Sequence, residues 1–249
     1  MTELVGILNI TPDSFSDGGK WLAADKAIVH AKQLIADGAA IIDIGAESTR
    51  PGAAHVSEQE EWQRLEPVLR GLAPLGLQLS LDTRHVNIVK MALRVIPNLI
   101  INDVTGFADP EMQQLVADKH LRCIVSHLAI SLRGDIQAAH TTRLIDDEQQ
   151  VIDELKQRRK ELIAKGVKAR DIILDPGIGF GKTPELNKRL LGFARHFPDD
   201  KVMIGYSRKR FLGDARMELP ANLEAGKMAI AAGAAYLRVH DVAGHAPLL

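Results

Sequence analysis

The chain has 249 residues, of which 46% are hydrophobic and 25% are charged, with a formal net charge of −1. This composition is typical of a globular protein, and the absence of a basic run gives no reason to expect nucleic acid or an anionic membrane as a partner. No apolar run approaches the ~20 residues needed to cross a bilayer, and the N-terminus lacks a secretory signal pattern. With one cysteine, Cys123, the sequence predicts a cytoplasmic protein without a membrane segment.

Eight short apolar runs recur along the chain, with amphipathic stretches between them. The runs are LVGILNI (4–10), AIIDI (40–44), LQLSLD (77–82), LIINDV (99–104), CIVSH (123–127), DIILD (171–175), VMIGY (202–206) and YLRVH (236–240). Continuous rather than alternating hydrophobicity is typical of parallel strands covered by helices. Eight strands with seven clear intervening helices predict a (β/α)8 TIM barrel rather than an open doubly wound sheet. The chain is therefore expected to be a single α/β domain that spans residues 1–249.

Two of the amphipathic stretches show the helical period clearly. The first carries Ala27, Ala31 and Leu34 on one face and is expected to stop near Gly38. The second is a long stretch whose apolar positions begin at Ile145 and which ends at Gly166. Asp146 and Asp147 are favourable near the N-terminus of that helix because of its dipole.

Polar or glycine-rich residues follow every apolar run. In a barrel these strand ends converge on one face, where the active site lies. The sequence therefore predicts a single pocket surrounded by Asn9, Thr49, Arg50, Asp82, Asn102, His127, Asp175, Lys209, Arg238 and His240.

The types of residue on this rim indicate two kinds of ligand group. Carboxylates at strand ends, Asp82, Asp103 and Asp175, together with Asn102, are suited to a flat heterocycle rich in N–H donors. Cationic residues on the same rim are suited to phosphate or pyrophosphate; these are Arg50, Lys209, Arg238 and His240. Arg208 and Arg210 are interpreted instead as solvated surface charge.

The segment DPGIGFGKT (175–183) resembles a nucleotide-binding P-loop but misses the pattern by one residue, because Pro176 stands where the first glycine is needed. The sequence also has no zinc-site spacing and no GxSxG nucleophile elbow. These features favour binding, orientation and charge stabilisation over covalent catalysis.

Seven motifs in chain order, NITPDSFSDGG, ESTRPG, LDT, INDV, DPGIGFGKT, SRK and RVHDV, together resemble the dihydropteroate synthase family. They span residues 9 to 242. The resemblance implies a (β/α)8 barrel that joins 6-hydroxymethyl-7,8-dihydropterin pyrophosphate to para-aminobenzoate. The reaction releases pyrophosphate and gives 7,8-dihydropteroate for folate biosynthesis. It also implies Mg²⁺ as cofactor, a possible homodimer and a target for sulfonamides.

Residue by residue, the resemblance implies catalytic roles for Asp82, Lys209, Arg238 and His240. The pterin would be read by Asp175, Asp82 and Asn102, with Lys209 reaching the ring. Arg238 and His240 would hold the pyrophosphate, and Asn9 would place its metal ion. The para-aminobenzoate site would be closed by mobile loops with Phe180 and Ser207 on its far wall; the loop residues are Phe15, Ser16, Asp17, Thr49, Arg50 and Pro51.

The chain departs from the family pattern at several points. Ala46 replaces a glycine, Ser126 replaces a methionine, and the fifth loop is altered. The chain ends at Leu249, so the eighth helix is expected to be shortened or missing.

These departures keep other functions open. One is a divergent noncatalytic pterin-binding paralogue, and another is the pterin-binding barrel of corrinoid methyltransferases. An NTPase is the weakest alternative.

The mechanism that the resemblance implies is dissociative: pyrophosphate departs first and the neutral aromatic amine then attacks.

Overall fold

The computed structural model describes residues 1–10, 20–48, 53, 55–128 and 144–249, with the backbone alone for residues 20–22. Its centre is a closed barrel of eight parallel strands, each paired with the next along the chain and the last with the first. The strands are β1 (Glu3–Asn9), β2 (Ala39–Gly45), β3 (Leu79–Asp82), β4 (Ile100–Asp103), β5 (Cys123–Ser126), β6 (Ile172–Asp175), β7 (Lys201–Ile204) and β8 (Tyr236–Val239). The predicted barrel is confirmed, and every predicted run overlaps a strand.

Helices alternate with the strands and surround the barrel. They are α1 (Lys20–Ala36), α2 (Glu58–Leu72), α3 (Val86–Leu93), α4 (Pro110–Asp118), α5 (Glu148–Ala164), α6 (Pro184–Arg189), α7 (Leu219–Ala231) and α8 (Val242–His245). The last helix has four residues and continues into a 3-10 turn at Ala246–Leu248. The prediction of a shortened eighth helix is therefore confirmed. None of the helices in these described ranges is both long enough and apolar enough to cross a membrane.

Successive side chains of each strand face opposite sides of the barrel wall. One set packs in the interior near the start of the strands, where apolar residues from seven strands form a separate cluster: Val5, Ile41, Ile100, Ile124, Ile173, Met203 and Tyr236. The other set packs outward against the helices in the main core, as Leu8, Ile42 and Leu174 do. A residue two positions after an interior residue is interior again, which determines what lines the upper barrel.

The long amphipathic stretch ending at Gly166 is helical, but it begins later than the periodicity predicts. Asp147 is the N-cap of α5, and its side chain accepts a hydrogen bond from the Gln149 amide. Ile145 lies outside the helix and pairs with Lys182 as an isolated parallel bridge. The apolar character of Ile145 therefore reflects its packing near the β6 end rather than membership of the helix.

A partly buried ion pair joins α2 to the start of α3. The Nδ1 atom of His85 lies 2.6 Å from Oε2 of Glu61, whose side chain is buried. The hydrogen bond to Glu61 raises the pKa of His85 and outweighs the opposing effect of burial. The protonated imidazole therefore stabilises the packing of these two helices.

This pair predicts a pH dependence of stability. A histidine whose folded pKa is raised binds more protons when folded, so its contribution is complete below the unfolded value of about 6.5 and is lost as pH rises through the folded pKa. We expect the free energy of unfolding of the wild type to fall, relative to that of His85→Gln, between about pH 6 and about pH 9. Urea unfolding of both proteins at the two pH values measures this difference, and a constant difference would contradict it.

Candidate active site

A cavity of about 750 Å³ opens at the carboxyl ends of the strands. Every strand, or the residues directly after it, contributes to the wall, with Asn9, Glu47, Asp82, Asn102, Ser126, Asp175, Gly205 and Arg238 as representatives. Barrel enzymes place their active sites at this face. The prediction that residues far apart in sequence line one pocket agrees with this geometry.

Parallel register explains why the polar residues on the floor are neighbours. Asp82 is opposite Asn102 in the pairing of β3 with β4, and Ser126 is opposite Asp175 in the pairing of β5 with β6. These four side chains line the cavity. Together they provide a floor rich in hydrogen-bond acceptors, which includes the hydroxyl of Ser126.

The floor belongs to a charge network centred on Arg238. Its Nε atom donates to Oδ2 of Asp43 at 2.6 Å, and its Nη2 atom donates to Oδ2 of Asp82 at 2.9 Å. The side-chain amide of Asn102 donates to both carboxylate oxygens of Asp43, at 3.1 and 3.3 Å. Arg238 is therefore fixed between two carboxylates, with two of its five N–H donors used in these contacts.

Sequence reasoning missed Asp43, which is 0% exposed in the middle of the apolar run AIIDI. The sequence shows only that a carboxylate within an apolar run is expected to be buried and to need a partner. Ile41 belongs to the interior cluster, so period-two alternation places Asp43 inside the barrel. An interior carboxylate requires a cationic or hydrogen-bonding partner, and the following strands offered Arg238 and Asn102.

The network shifts the ionisation of its members. Burial, the neighbouring carboxylate of Asp43 and other nearby acids raise the pKa of Asp82 to about 7, although Arg238 opposes the shift. Burial lowers the pKa of Arg238, but Asp43 and Asp82 outweigh this effect and raise it overall. Arg238 therefore stays cationic, and the pKa of Asp82 lies near neutrality.

Asp175, on the floor, and Lys209 form a second group of charges in the pocket. Oδ1 of Asp175 accepts a hydrogen bond from the Gly177 amide at 2.7 Å. Burial raises the pKa of Asp175, and the charge of Lys209 opposes this rise. Burial lowers the pKa of Lys209 to about 8, against the stabilising charge of Asp175.

The side chain of Lys209 is held over the β6 loop, residues 176–183. Its ammonium donates to the Ile178 carbonyl and lies 5.1 Å from the centre of the Phe180 ring. Gly179 has φ +84°, and a Cβ there would lie 3.1 Å from Cδ of Lys209. The glycine thus lets the lysine cross the loop and reach the pocket beside Phe180.

His240 and Ser207 are coupled at the ends of β8 and β7. Nδ1 of His240 lies 3.0 Å from the Ser207 hydroxyl oxygen, which also accepts from the His240 amide at 3.3 Å. Both line the cavity with Arg238. Ser207 was expected beside Phe180 on the amine side, and here it is joined directly to His240.

Three arginines line the outer part of the cavity, Arg208, Arg210 and Arg216. Arg208 has φ 60°, an uncommon conformation for a side-chain-bearing residue, and its amide donates to Oδ1 of Asn222. The same buried Asn222 donates to the Arg216 carbonyl. Arg208 and Arg210 are exposed, as the sequence predicts, but they also form part of the pocket wall.

Two sequence-based interpretations are corrected by the structure. Asp103 belongs to the outward-facing set, and its carboxylate accepts from the amide and hydroxyl of Thr105 and the amide of Phe107. It organises the loop after β4 and does not line the cavity described here. His127 also does not line this cavity, and its ring faces Glu154 on α5 at 3.2 Å.

The resemblance of DPGIGFGKT to a P-loop has no counterpart in the contacts. The Lys182 ammonium donates to main-chain carbonyls, and the Thr183 hydroxyl accepts from the Leu186 amide as the N-cap of α6. Both groups have intramolecular partners. The NTPase alternative therefore loses its structural basis.

The remaining expected residues are placed as follows. Asn9 lines the cavity at the end of β1. Ala46 is buried, and it is absent from the described non-glycine residues with positive φ, so the glycine-to-alanine change needs no strained backbone. Phe15, Ser16, Asp17, Thr49, Arg50 and Pro51, and most of the altered fifth loop, lie outside the described residues.

The Arg238 network predicts the effect of removing its buried member. Asp43→Ala leaves Arg238 with one carboxylate and Asn102 without its acceptor, so we expect a loss of about 3 kcal/mol in the free energy of unfolding, as for other broken buried ion pairs. Urea unfolding measures the loss. The exposed Asp199→Ala is the control, and equal stability of the two variants would show that Asp43 does not support the network.

Comparisons with known proteins agree with this geometry. Residues 5–240 match the family model described as pterin binding enzyme. A dihydropteroate synthase of Neisseria meningitidis serogroup C is 38% identical, with 99% of this chain and 90% of the relative covered. A dihydropteroate synthase structure from Xanthomonas albilineans with 4-aminobenzoic acid has a TM-score of 0.88 and 34% identity, and the match covers 99% of this chain and 90% of that one. A structure from Burkholderia cenocepacia with 7,8-dihydropteroate has a TM-score of 0.85 and 34% identity, and the match covers 99% of this chain and 89% of that one. This chain belongs to the dihydropteroate synthase family of pterin-binding enzymes.

Proposed function

We propose that this protein is a dihydropteroate synthase, a transferase that condenses 6-hydroxymethyl-7,8-dihydropterin pyrophosphate with para-aminobenzoate to give 7,8-dihydropteroate and pyrophosphate. The observation that carries the proposal is one cavity lined by both acceptor groups and cations. The acceptors suit a donor-rich ring, and the cations suit a leaving pyrophosphate. The reaction of the dihydropteroate synthase family uses a substrate that has both a donor-rich ring and a pyrophosphate leaving group.

The pterin ring is assigned to the floor. Asp175 presents a carboxylate that is already oriented by the Gly177 amide, and its second oxygen can accept ring and amino N–H groups. Asn102 and Asp82 flank the ring position in adjacent strands. Lys209 supplies a cation on the same side as Asp175, and this charge compensates the buried carboxylate.

The pyrophosphate is assigned to Arg238, His240 and Asn9. Arg238 keeps further N–H donors beyond those used for Asp43 and Asp82. No group of three His, Cys, Asp or Glu side chains in the described part of the chain forms a metal cage. Mg²⁺ takes oxygen ligands and usually keeps several waters while binding substrate phosphates, and the amide oxygen of Asn9 would supply one protein oxygen. The ion, when bound, supplies charge neutralisation for the leaving group.

The residues support a reaction governed by charge. The bond from the pterin methylene carbon to the pyrophosphate oxygen breaks, and its electron pair leaves with pyrophosphate toward Arg238 and His240. The electron-rich ring stabilises the methylene cation beside the carboxylates of Asp82 and Asp175. The amine nitrogen then forms the new C–N bond and releases its proton to solvent, so no strong base is needed.

The amine substrate is assigned to the outer cavity, beside Phe180. An aromatic ring can pack against Phe180 and the stem of Lys209. Its carboxylate would face the arginines of the outer wall, Arg208, Arg210 and Arg216. We also propose that two loops close this site. Their residues are Phe15, Ser16, Asp17, Thr49, Arg50 and Pro51.

Assembly and location are further parts of the proposal. A homodimer is implied by the resemblance to the dihydropteroate synthase family. Sedimentation of the purified protein tests the assembly. A buried free Cys123 is compatible with the reducing cytoplasm.

The first test of the function is pyrophosphate release from the purified protein with dihydropterin pyrophosphate and Mg²⁺. We expect release that depends on para-aminobenzoate, because the amine must consume the methylene cation. Binding of the pterin by calorimetry without such release would instead support the noncatalytic paralogue. Tight binding of methyltetrahydrofolate would favour the corrinoid methyltransferase alternative.

Asp175→Asn tests the pterin assignment. The amide keeps one acceptor oxygen and adds a donor that opposes the ring N–H groups, so we expect pterin affinity to fall by about 100-fold, the equivalent of roughly 3 kcal/mol for a lost charged hydrogen bond. Calorimetry with 6-hydroxymethylpterin measures the change. The exposed Asp199→Asn serves as control, and unchanged affinity in Asp175→Asn would remove Asp175 from the pterin site.

A further inference from the structure

The β6 loop contains a buried cation that the reaction described above does not use. Lys182 is 4% exposed although its side chain carries an ammonium group. Burying an unpaired charge is costly, so the groups that surround it must compensate. Its surroundings therefore indicate what the lysine is for.

All three N–H donors of an ammonium group can be accounted for by main-chain acceptors. Nζ of Lys182 donates to the carbonyls of Gly177 at 2.9 Å, Phe180 at 3.0 Å and His127 at 3.2 Å. Two of these carbonyls belong to the β6 loop, and the third lies just after β5. The lysine thus ties the loop to itself and to the neighbouring strand end.

The backbone is shaped so that these carbonyls can converge. Gly177 has φ +63°, and a Cβ at this position would lie 2.1 Å from the His127 carbonyl oxygen. Asn187 adds a second support, because its Oδ1 accepts from the Gly179 amide at 2.7 Å and its Nδ2 donates to the Lys182 carbonyl at 3.2 Å. The loop is held from beneath by two buried side chains.

The residues anchored by Lys182 contact groups at both proposed substrate positions. The Gly177 amide orients the Asp175 carboxylate, so the position of Gly177 determines where the pterin acceptor points. Phe180, whose carbonyl is the second anchor, lies against Lys209 on the amine side. Lys182 borders the cavity, but its ammonium group is directed at main-chain carbonyls, so it is coupled to the geometry of both ligand sites through the loop.

We propose that Lys182 is a positioning residue whose three main-chain hydrogen bonds fix the β6 loop, and through it Asp175 and Phe180, for binding of both substrates. The inference rests on the proposed function. It adds a structural determinant of affinity that acts through other residues and touches neither the reacting carbon nor the pyrophosphate.

The cost of keeping this cation supports a role beyond folding. Burial lowers the pKa of Lys182 to about 7, while Asp175 opposes the shift and Lys209 adds to it. Glu154 on α5 also favours the cation. Well-packed apolar residues often replace buried charges without loss of stability, so stability alone does not require a lysine here.

The test compares Lys182→Met, which keeps the length of the side chain and removes its donors, with Lys188→Met on the exposed side of α6. For Lys182→Met we expect the Kd for dihydropterin pyrophosphate with Mg²⁺ and the KM for para-aminobenzoate to rise at least about tenfold, because small displacements of positioning groups have large effects. We expect kcat at saturation to change less. Lys188→Met should match the wild type in all three values.

Lys182→Arg separates position from charge. A planar guanidinium keeps the charge but cannot direct three donors at the same converging carbonyls, so we expect this variant to remain weak in binding. Its binding data also decide the question if Lys182→Met is not recovered folded. Wild-type affinity in a folded Met variant, or full restoration by arginine, would overturn the inference.

Failure of the proposed function would be recognised separately. If the wild type binds the dihydropterin pyrophosphate but gives no amine-dependent pyrophosphate release, the synthase assignment fails. The calorimetric comparison of Lys182→Met with Lys188→Met would still decide whether Lys182 positions the pterin acceptor.

Discussion

The ion pair between Arg238 and the buried Asp43 is the interaction on which the site depends. A guanidinium inside the barrel is tolerated only because carboxylates surround it, and Asp43 is tolerated for the complementary reason. Asp82 and Asn102 complete the network, so the floor of the cavity is fixed before any ligand arrives. Preorganised charge of this kind is what a reaction driven by leaving-group departure requires.

The barrel separates two tasks in layers. Apolar side chains fill the lower interior, where Val5, Ile41, Ile124 and Tyr236 pack together. Polar and charged side chains occupy the interior positions above them. Burying polar and charged side chains in the upper layer costs free energy. The close packing of the lower interior and of the helix-facing surface offsets this cost.

The β6 loop shows how glycines and buried cations cooperate in one segment. Glycines with positive φ allow carbonyls and side chains to approach closely, as at Gly177 and Gly179. Lys182 then occupies the resulting cluster of carbonyls, while Lys209 crosses above it toward Asp175. The segment DPGIGFGKT resembles a phosphate-binding loop in sequence, but in the structure it forms one wall of the cavity. Hydrogen bonds from the buried Lys182 stabilise it.

The sequence by itself determined the eight strands, the barrel and most of the rim, because continuous apolar runs and polar strand ends are local patterns. It also indicated Asp82, Asn102, Asp175 and Arg238 as neighbours. Only the tertiary structure decided the roles of Asp43, Asp103 and Lys182, since facing inward or outward depends on barrel register and on which carbonyls converge. Hydrophobicity reports that a residue is buried, whereas its partners are set by contacts between distant strands.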